Sequence, residues 1–151
     1  MLNIQKIDHV GIRISDKDRS VDFYKQLGFK FVADAGFEQG HPIIMRHPSG
    51  VVLNLLGPST KADGVNILMD VEEKHPGYTH IALRVDSLEK AKAFFKAQGI
   101  ALTGSFSFKN MSAIFVRDPD SNVIELDEYS GEEPRARMDP DTDFSGYSSH
   151  P

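Results

Sequence analysis

Two histidines and one carboxylate occupy matching places in the two halves of this 151-residue chain. An offset of 71 residues relates His9 to His80, and the same offset relates Asn54 to Glu125. Two imidazoles and a carboxylate suit a divalent ion such as Fe, Mn, Ni, Co or Zn, with coordination positions left for water and substrate. A lone histidine on a strand is more often structural, so the metal-site hypothesis depends on this matched placement. Because the chain has no cysteine, nitrogen and oxygen atoms would have to hold the metal.

The same offset runs through an internal repeat. Residues 8–55 align without a gap on residues 79–126, and eleven identities stand where roughly three are expected by chance. The identical pairs are His9/His80, Arg13/Arg84, Phe23/Phe94, Lys25/Lys96, Gly28/Gly99, Phe37/Phe108, Ile43/Ile114, Arg46/Arg117, Pro48/Pro119, Val52/Val123 and Leu55/Leu126. A duplicated structural unit explains the pattern. We expect the two units to pack as one domain, because each is small for a core of its own.

Each copy is predicted to form a strand, a helix and then about three strands. Alternating apolar residues mark the opening strands at 7–14 and 78–85. Gly28 and Gly99 stand where the end of a helix commonly requires a left-handed residue. The predicted helix caps are Ser15 or Asp16 in the first copy and Asp86, in a capping box with Glu89, in the second. This order of elements predicts an α+β fold.

The two-residue period of a strand places the candidate ligands together. One face of the first opening strand carries His9 and Arg13. The corresponding face of the second carries His80 and Arg84, and the later strand can turn Glu125 the same way. Two such sheets side by side would form a concave surface on which His9, His80 and Glu125 converge.

Composition limits the classes of partner. A hydrophobic content of 40% and a charged content of 26% are ordinary for a soluble globular protein. The net charge of −5, without a basic cluster, argues against a nucleic-acid partner. No apolar run approaches the length of a membrane span, which argues against a membrane partner. The first residues lack the features of a signal peptide, so we expect a cytoplasmic protein.

The repeat also divides the chain into predicted segments. Module 1 spans about 4–57, a linker about 58–76 and module 2 about 77–130, together one domain. Within the linker, Val65 to Met69 is a short apolar patch that we expect to be a strand or a helical turn. Residues 131–151 are polar and rich in turn residues, so we expect a flexible tail or an arm that packs on a partner subunit.

Several motifs resemble the vicinal oxygen chelate superfamily, which includes glyoxalase I, bleomycin-resistance proteins, extradiol dioxygenases and fosfomycin-resistance thiol transferases. The resemblance covers roughly residues 4–130, and its motifs are Asp8-His9-Val10, Val21-Asp22-Phe23-Tyr24, Leu27-Gly28-Phe29, Tyr78-Thr79-His80-Ile81-Ala82, and Asp118-Pro119-Asp120 leading to Ile124-Glu125-Leu126. It implies two tandem βαβββ modules that form a cup-shaped mixed sheet around one divalent metal ion. It also implies a small-molecule substrate and a homodimer. The ligand positions of the family fall on His9, Asn54, His80 and Glu125.

Asn54 departs from the glyoxalase pattern, in which a glutamate usually occupies this position. An amide oxygen can coordinate a metal weakly, but an amide cannot serve as a base at neutral pH. Asn54 is therefore expected to be a fourth ligand, a substrate contact or an amide bonded to neighbouring backbone. Glu125 remains as the catalytic base that could move a proton between adjacent carbons.

Basic side chains suggest the charge of the substrate. Arg13 matches an arginine that binds a glutathione carboxylate in the glyoxalase branch, so the resemblance leaves glutathione open as a cosubstrate. Arg84 occupies the equivalent place in the second copy, where a salt bridge at the mouth of the cup is an alternative role. Two inward-facing arginines would favour an anionic substrate. Lys109 is a further candidate for substrate contact, with an exposed polar loop as the alternative.

The resemblance favours a glyoxalase I-like, metal-dependent lyase or isomerase of a small vicinal-oxygen substrate. An Fe(II) extradiol ring-cleavage dioxygenase is the second hypothesis, because two histidines and one carboxylate leave positions for substrate and oxygen. The hypothesis of a thiol transferase of the fosfomycin-resistance type is weakened by Gly11, because that branch has a threonine at this position. A metal-free binding protein of the bleomycin-resistance type is the remaining alternative, although those members generally lack the ligand set.

Overall fold

Both halves of the chain fold as the same βαβββ module in the computed structural model, which describes residues 1–133 and 141. The elements of the first module are β1 (Val10–Arg13), α1 (Lys17–Gln26), β2 (Lys30–Asp34), a 3-10 turn (Phe37–Gln39), β3 (Ile43–Arg46) and β4 (Val52–Leu56). Those of the second are β5 (His80–Arg84), α2 (Leu88–Gln98), β6 (Gly104–Phe108), β7 (Met111–Arg117) and β8 (Val123–Tyr129). The predicted α+β class and the tandem βαβββ order are confirmed.

The chain separates into two compact units, Met1–Val65 and a second that begins at Asn66. The boundary falls inside the predicted linker. Each unit contains one four-stranded mixed sheet, with the order β1-β4-β3-β2 in the first and β5-β8-β7-β6 in the second. In each sheet the opening strand pairs in parallel with the last strand, while the remaining pairs are antiparallel.

The strand registers repeat with the sequence offset. Gly11 lies opposite Asn54 in the first sheet, and Ala82 lies opposite Glu125 in the second. Residues that lie opposite each other in a ladder project to the same face. Asn54 and Glu125 therefore occupy equivalent places on equivalent faces of the two sheets.

The opening strands begin later than predicted. The pairing of β1 with β4 starts at Val10, and the pairing of β5 with β8 starts at His80. Ile7 and Tyr78 precede these ladders and are 80% and 100% exposed. The predicted starts at residues 7 and 78 are wrong because apolar alternation continues beyond the last partner in the sheet. His9 consequently lies just before β1, whereas His80 is the first residue of β5.

The helix caps were predicted correctly in the first module and incorrectly in the second. The Asp16 carboxylate accepts a hydrogen bond from the Arg19 backbone at 2.9 Å, which caps α1. In the second module Ser87, rather than Asp86, caps α2. The ladder continues to Val85, whose N–H donates to the Asp127 carbonyl, so the chain stays extended past Asp86 and turns one residue later.

Two glycines end the helices as expected. Gly28 and Gly99 have φ angles of +97° and +69°, in the region that favours glycine. Gly99 is the C-cap of α2, where its N–H donates to the Lys96 carbonyl. Both glycines allow the chain to leave a helix and enter the next strand of its module.

The first core lies between α1 and one face of its sheet. The buried Tyr24 ring makes edge contacts with Phe23 and Phe29, at centroid distances of 5.1 and 5.9 Å. Alternate residues of the last two strands complete this core, namely Ile43, Met45, Leu53 and Leu55. The other face of the sheet carries Gly11 and Asn54 and is less buried.

The second sheet is buried on both faces. The face that meets α2 carries Ile114, Val116, Ile124 and Leu126. The opposite face carries an apolar cluster of Phe106, Met111, Ala113, Phe115 and Val123. Since Phe115 lies opposite Glu125, the carboxylate projects from β8 on the side of this cluster.

The apolar patch between the modules forms a helical turn. The Asp70 N–H donates to the Asn66 carbonyl at 2.7 Å, which closes the turn. Arg117 binds both oxygens of the Asp70 carboxylate, at 2.7 and 2.9 Å. Met69 packs against the apolar cluster of the second sheet. The segment is thus attached to β7 by a charge-assisted, bidentate contact.

Most of the predicted tail lies outside the described residues, which omit 134–140 and 142–151. The Asn110 amide donates to the carbonyls of Ser130 and Glu132, at 2.7 and 2.6 Å. The hairpin between β6 and β7 thus holds the residues that follow β8. Among the described helices, none combines the length and apolar character needed to cross a bilayer.

The Asp70 contact predicts a pH-dependent contribution to stability. Hydrogen bonding to Arg117 lowers the pKa of the Asp70 carboxyl below 3.8 in the folded protein. A lowered folded-state pKa contributes stability that is present above the unfolded-state pKa and lost as the pH falls through the folded-state value. Wild-type protein should therefore unfold at higher urea concentration than Asp70→Asn at pH 6, and the difference should shrink below pH 4. Asp22→Asn, at an exposed position of α1, is the control. A difference that is constant from pH 6 to pH 3 would contradict the prediction.

Candidate active site

The second unit brings together two of the predicted ligands. His80 opens β5, and Glu125 lies on the neighbouring strand β8. The His80 Nε2 atom lies 2.9 Å from the Glu125 Oε2 atom. The His80 side chain is 36% exposed, whereas that of Glu125 is 5% exposed. The pair thus presents an accessible imidazole above a buried carboxylate.

The second oxygen of the Glu125 carboxylate is poorly satisfied. The Oε1 atom is buried and has no hydrogen-bond partner within the part of the chain that the structure describes. Burying a charged oxygen without a partner is costly, so such atoms in native proteins call for an explanation. A bound cation, or a proton taken from a substrate, would satisfy this oxygen.

The spacing of His80 and Glu125 fits two ligands of one metal ion. Nitrogen and oxygen ligands at about 2.1 Å from a metal, in perpendicular directions, lie about 3.0 Å apart. The observed separation of 2.9 Å agrees with this value. An imidazole and a carboxylate also suit the divalent ions expected from the sequence. The residues present therefore fit a metal, although a direct hydrogen bond has the same length.

His9 in the first unit has a carboxylate beside it. Its Nδ1 atom lies 2.7 Å from the Asp8 carboxylate, and its side chain is 46% exposed. The hydrogen bond from His9 lowers the pKa of the Asp8 carboxyl, and the charge of the ring adds to this effect. The occupied Nδ1 leaves Nε2 as the ring nitrogen suited to coordination.

The remaining ligand candidate is Asn54, which lies on β4 opposite Gly11 and Ile44 and is half-buried. Among residues 1–133 and 141, no three side chains of His, Asp or Glu gather into a metal-binding group. Within the second unit, the structure brings together His80 and Glu125. The convergence of His9 and Asn54 with that pair stays a prediction.

The predicted substrate contacts differ in their placement. Arg84 shares the face of β5 with His80, and its guanidinium lies over the Tyr129 ring, 4.7 Å from the centroid. Arg13 is exposed on β1, on the face that carries Asn54. These positions are compatible with contacts to an anionic group.

Lys109 lies at the exposed turn between β6 and β7, with a positive φ of 54°. This turn adjoins the pairing of Met111 with Tyr129, four positions along β8 from Glu125. At the rise of a strand this is about 13 Å. The structure therefore does not bring Lys109 to the His80–Glu125 pair.

Three neighbours of the candidate ligands were assigned no role from the sequence. Asp8 and Thr79 contact the Nδ1 atoms of His9 and His80, and the repeat offset that relates the histidines also relates these two residues. Asp127 is buried on the same face as Glu125. Asp127 lies two residues after Glu125 on β8. This spacing could have predicted the shared face, because side chains on a strand alternate between faces.

Comparison with known proteins agrees with the fold. A model of the Glyoxalase/Bleomycin resistance protein/Dioxygenase superfamily matches residues 6–126. A lactoylglutathione lyase of Schizosaccharomyces pombe is 30% identical over an alignment of 159 positions, which covers 91% of this chain and 52% of that protein. This chain thus spans about half the length of that relative. A probable lactoylglutathione lyase of Vibrio cholerae is 27% identical over 133 residues, covering 80% and 88% of the two chains.

A solved structure shows the same architecture. The fosfomycin resistance protein FosX of Listeria monocytogenes superimposes with a TM-score of 0.66 at 17% sequence identity, covering 90% of this chain and all of that one. At this identity the likeness concerns the fold alone. The family match, the tandem modules and the repeated registers lead to one conclusion. The chain belongs to the glyoxalase/bleomycin resistance protein/dioxygenase superfamily, as its vicinal oxygen chelate motifs predicted.

Proposed function

We propose that this protein is a metal-dependent, glyoxalase I-like lyase or isomerase that acts on a small substrate with vicinal oxygens. The observation that carries the proposal is the His80–Glu125 pair, in which a buried carboxylate has one oxygen without a hydrogen-bond partner among the described residues. The lactoylglutathione lyase of Schizosaccharomyces pombe and the probable lactoylglutathione lyase of Vibrio cholerae support this choice within the superfamily.

His80, Glu125 and His9 would hold one divalent metal ion, with Asn54 as a fourth ligand or a substrate contact. When bound, such an ion supplies Lewis-acid chemistry that polarises the oxygens of the substrate. His9 lies in the first unit, and His80 and Glu125 lie in the second. The ligands could come from one chain or from two chains of a homodimer, which remains our prediction for the assembly.

Glu125 is the residue suited to proton transfer. Its Oε2 atom faces His80, and its Oε1 atom has no hydrogen-bond partner among the described residues. The carboxylate would take a proton from the carbon next to a carbonyl and return it to the neighbouring carbon. Substrate and product then contain the same atoms, and the step needs no oxidant. Phe115, opposite Glu125 on β7, contributes an apolar surface beside this position.

Arg13 and Arg84 would bind an anionic part of the substrate. A guanidinium recognises a carboxylate through two parallel hydrogen bonds, which suits the carboxylates of glutathione as a cosubstrate. The Tyr129 ring beneath Arg84 would restrict the orientation of that guanidinium. Small anionic molecules are therefore the proposed class of substrate.

A ring-cleaving Fe(II) dioxygenase is the second candidate, and Asn54 favours it. The equivalent registers put an amide in the first sheet where the second has the carboxylate of Glu125. The complete set would then be two histidines and one carboxylate, which is the ligand set of many non-haem Fe(II) oxygenases.

Metal binding should stabilise the folded protein through Glu125. Zinc at 100 times its dissociation constant adds about 2.7 kcal/mol to the free energy of unfolding when it binds only the folded state. Chemical denaturation of wild-type protein with and without zinc should show such a gain. Glu125→Gln should lose most of the gain, because a neutral amide is a weak ligand. Glu89→Gln, at an exposed position of α2, should keep it. An equal zinc response in all three proteins would contradict this role for Glu125.

Turnover of the methylglyoxal–glutathione adduct tests the proposed reaction. The metal-loaded protein should convert the adduct at the same rate with and without oxygen. Glu125→Gln should lower kcat by about 10²–10⁴-fold, since the general base is removed, while Glu89→Gln leaves it unchanged. Oxygen consumption with a catechol, together with no turnover of the adduct, would replace this proposal with the dioxygenase.

A further inference from the structure

Each candidate histidine contacts the side chain of the residue before it. The Asp8 Oδ1 atom lies 2.7 Å from His9 Nδ1, and the Thr79 Oγ1 atom lies 2.8 Å from His80 Nδ1. The two contacts occupy equivalent places in the repeat, yet one partner is a carboxylate and the other a hydroxyl. This chemical difference determines which ring nitrogen of each histidine can carry the proton.

The Asp8 carboxylate permits one tautomer of His9. The Asp8 carboxylate lies 2.7 Å from His9 Nδ1, and an ionised carboxylate only accepts hydrogen bonds. The His9 Nδ1 atom must therefore carry the proton. Its Nε2 atom then has the lone pair that a metal ligand needs, whether or not a metal is present.

The hydroxyl of Thr79 permits both tautomers of His80. With Nε2 only 2.9 Å from the Glu125 carboxylate, the ring donates from Nε2, and Nδ1 accepts from the Thr79 hydroxyl. Coordination through Nε2 requires the ring proton on Nδ1 instead. A hydroxyl can donate or accept a hydrogen bond after rotation, so Thr79 can accept a hydrogen bond from the Nδ1–H group without any change in its position.

We propose that Thr79 is a positioning residue that lets His80 exchange its hydrogen bond to Glu125 for metal ligation, whereas Asp8 holds His9 in the ligand tautomer throughout. The inference rests on the proposed metal site. It assigns unequal roles to the two histidines. His9 is ready to bind the metal before it arrives, and His80 becomes a ligand only when the proton moves to the nitrogen beside Thr79.

Nitrogen-15 NMR of the imidazole rings tests the tautomers directly. In the metal-free, full-length protein, we expect the proton of His9 on Nδ1 and that of His80 on Nε2. Addition of zinc should move the His80 proton to Nδ1 and leave that of His9 in place. A metal-free His80 with its proton on Nδ1, or a His80 tautomer unchanged by bound zinc, would overturn the proposal.

Zinc affinity, measured by competition with a chelator, tests the role of Thr79. Thr79→Val keeps the shape of the side chain but cannot accept a hydrogen bond from the ring N–H, so the zinc affinity should fall about 10–100-fold. Thr79→Ser should restore the affinity to within about threefold of wild type, because the hydroxyl returns. Thr103→Val, at an exposed threonine of the same unit, is the matched control and should not change the affinity. Circular dichroism establishes that each variant is folded.

The outcomes separate this inference from the proposed function. Zinc binding by wild type with the same affinity in Thr79→Val would overturn the role of Thr79 and leave the metal site intact. A wild-type protein that binds none of Zn, Ni, Mn or Fe(II) would overturn both proposals. A selective loss in Thr79→Val that Thr79→Ser reverses would support the inference.

Discussion

The parallel ladder between β5 and β8 fixes the distance between His80 and Glu125. It places Ala82 opposite Glu125, which turns the carboxylate to the same face as His80. A slip of one residue would turn Glu125 towards α2 and remove it from the imidazole. The antiparallel partner β7 opposes such a slip, because its alternate residues fill apolar surfaces on both faces of the sheet. The chemistry proposed for this chain therefore depends on the register of one strand pair.

The two modules share this ladder but differ in their polar residues. In the first, Asn54 stands where the second has Glu125, and Asp8 stands where the second has Thr79. In the proposed site, the first module would contribute a histidine in a fixed tautomer and an amide. The second would contribute a histidine with an adaptable partner and the only carboxylate of the predicted ligand set. These substitutions would give each half a different chemical role.

Sequence reasoning succeeded where a local pattern decides the structure. The repeat predicted the element order and the shared face of His80 and Glu125, because strand alternation determines which side chains lie together. Prediction from the sequence failed where contacts between distant parts of the chain determine the structure. The strands start where their partners start, so the predicted start at residue 7 was too early. The distance of Lys109 from Glu125 depends on the length of the β6–β7 hairpin, and its contact with substrate stays a prediction.

We propose that His9, His80 and Glu125 bind one metal ion. X-ray absorption spectroscopy of the zinc-loaded protein counts imidazole ligands around the metal. We expect two imidazole ligands around the zinc in wild type and one in the His9→Ala variant. A single imidazole in both proteins would show that the first unit contributes no histidine to the metal, and would contradict the account.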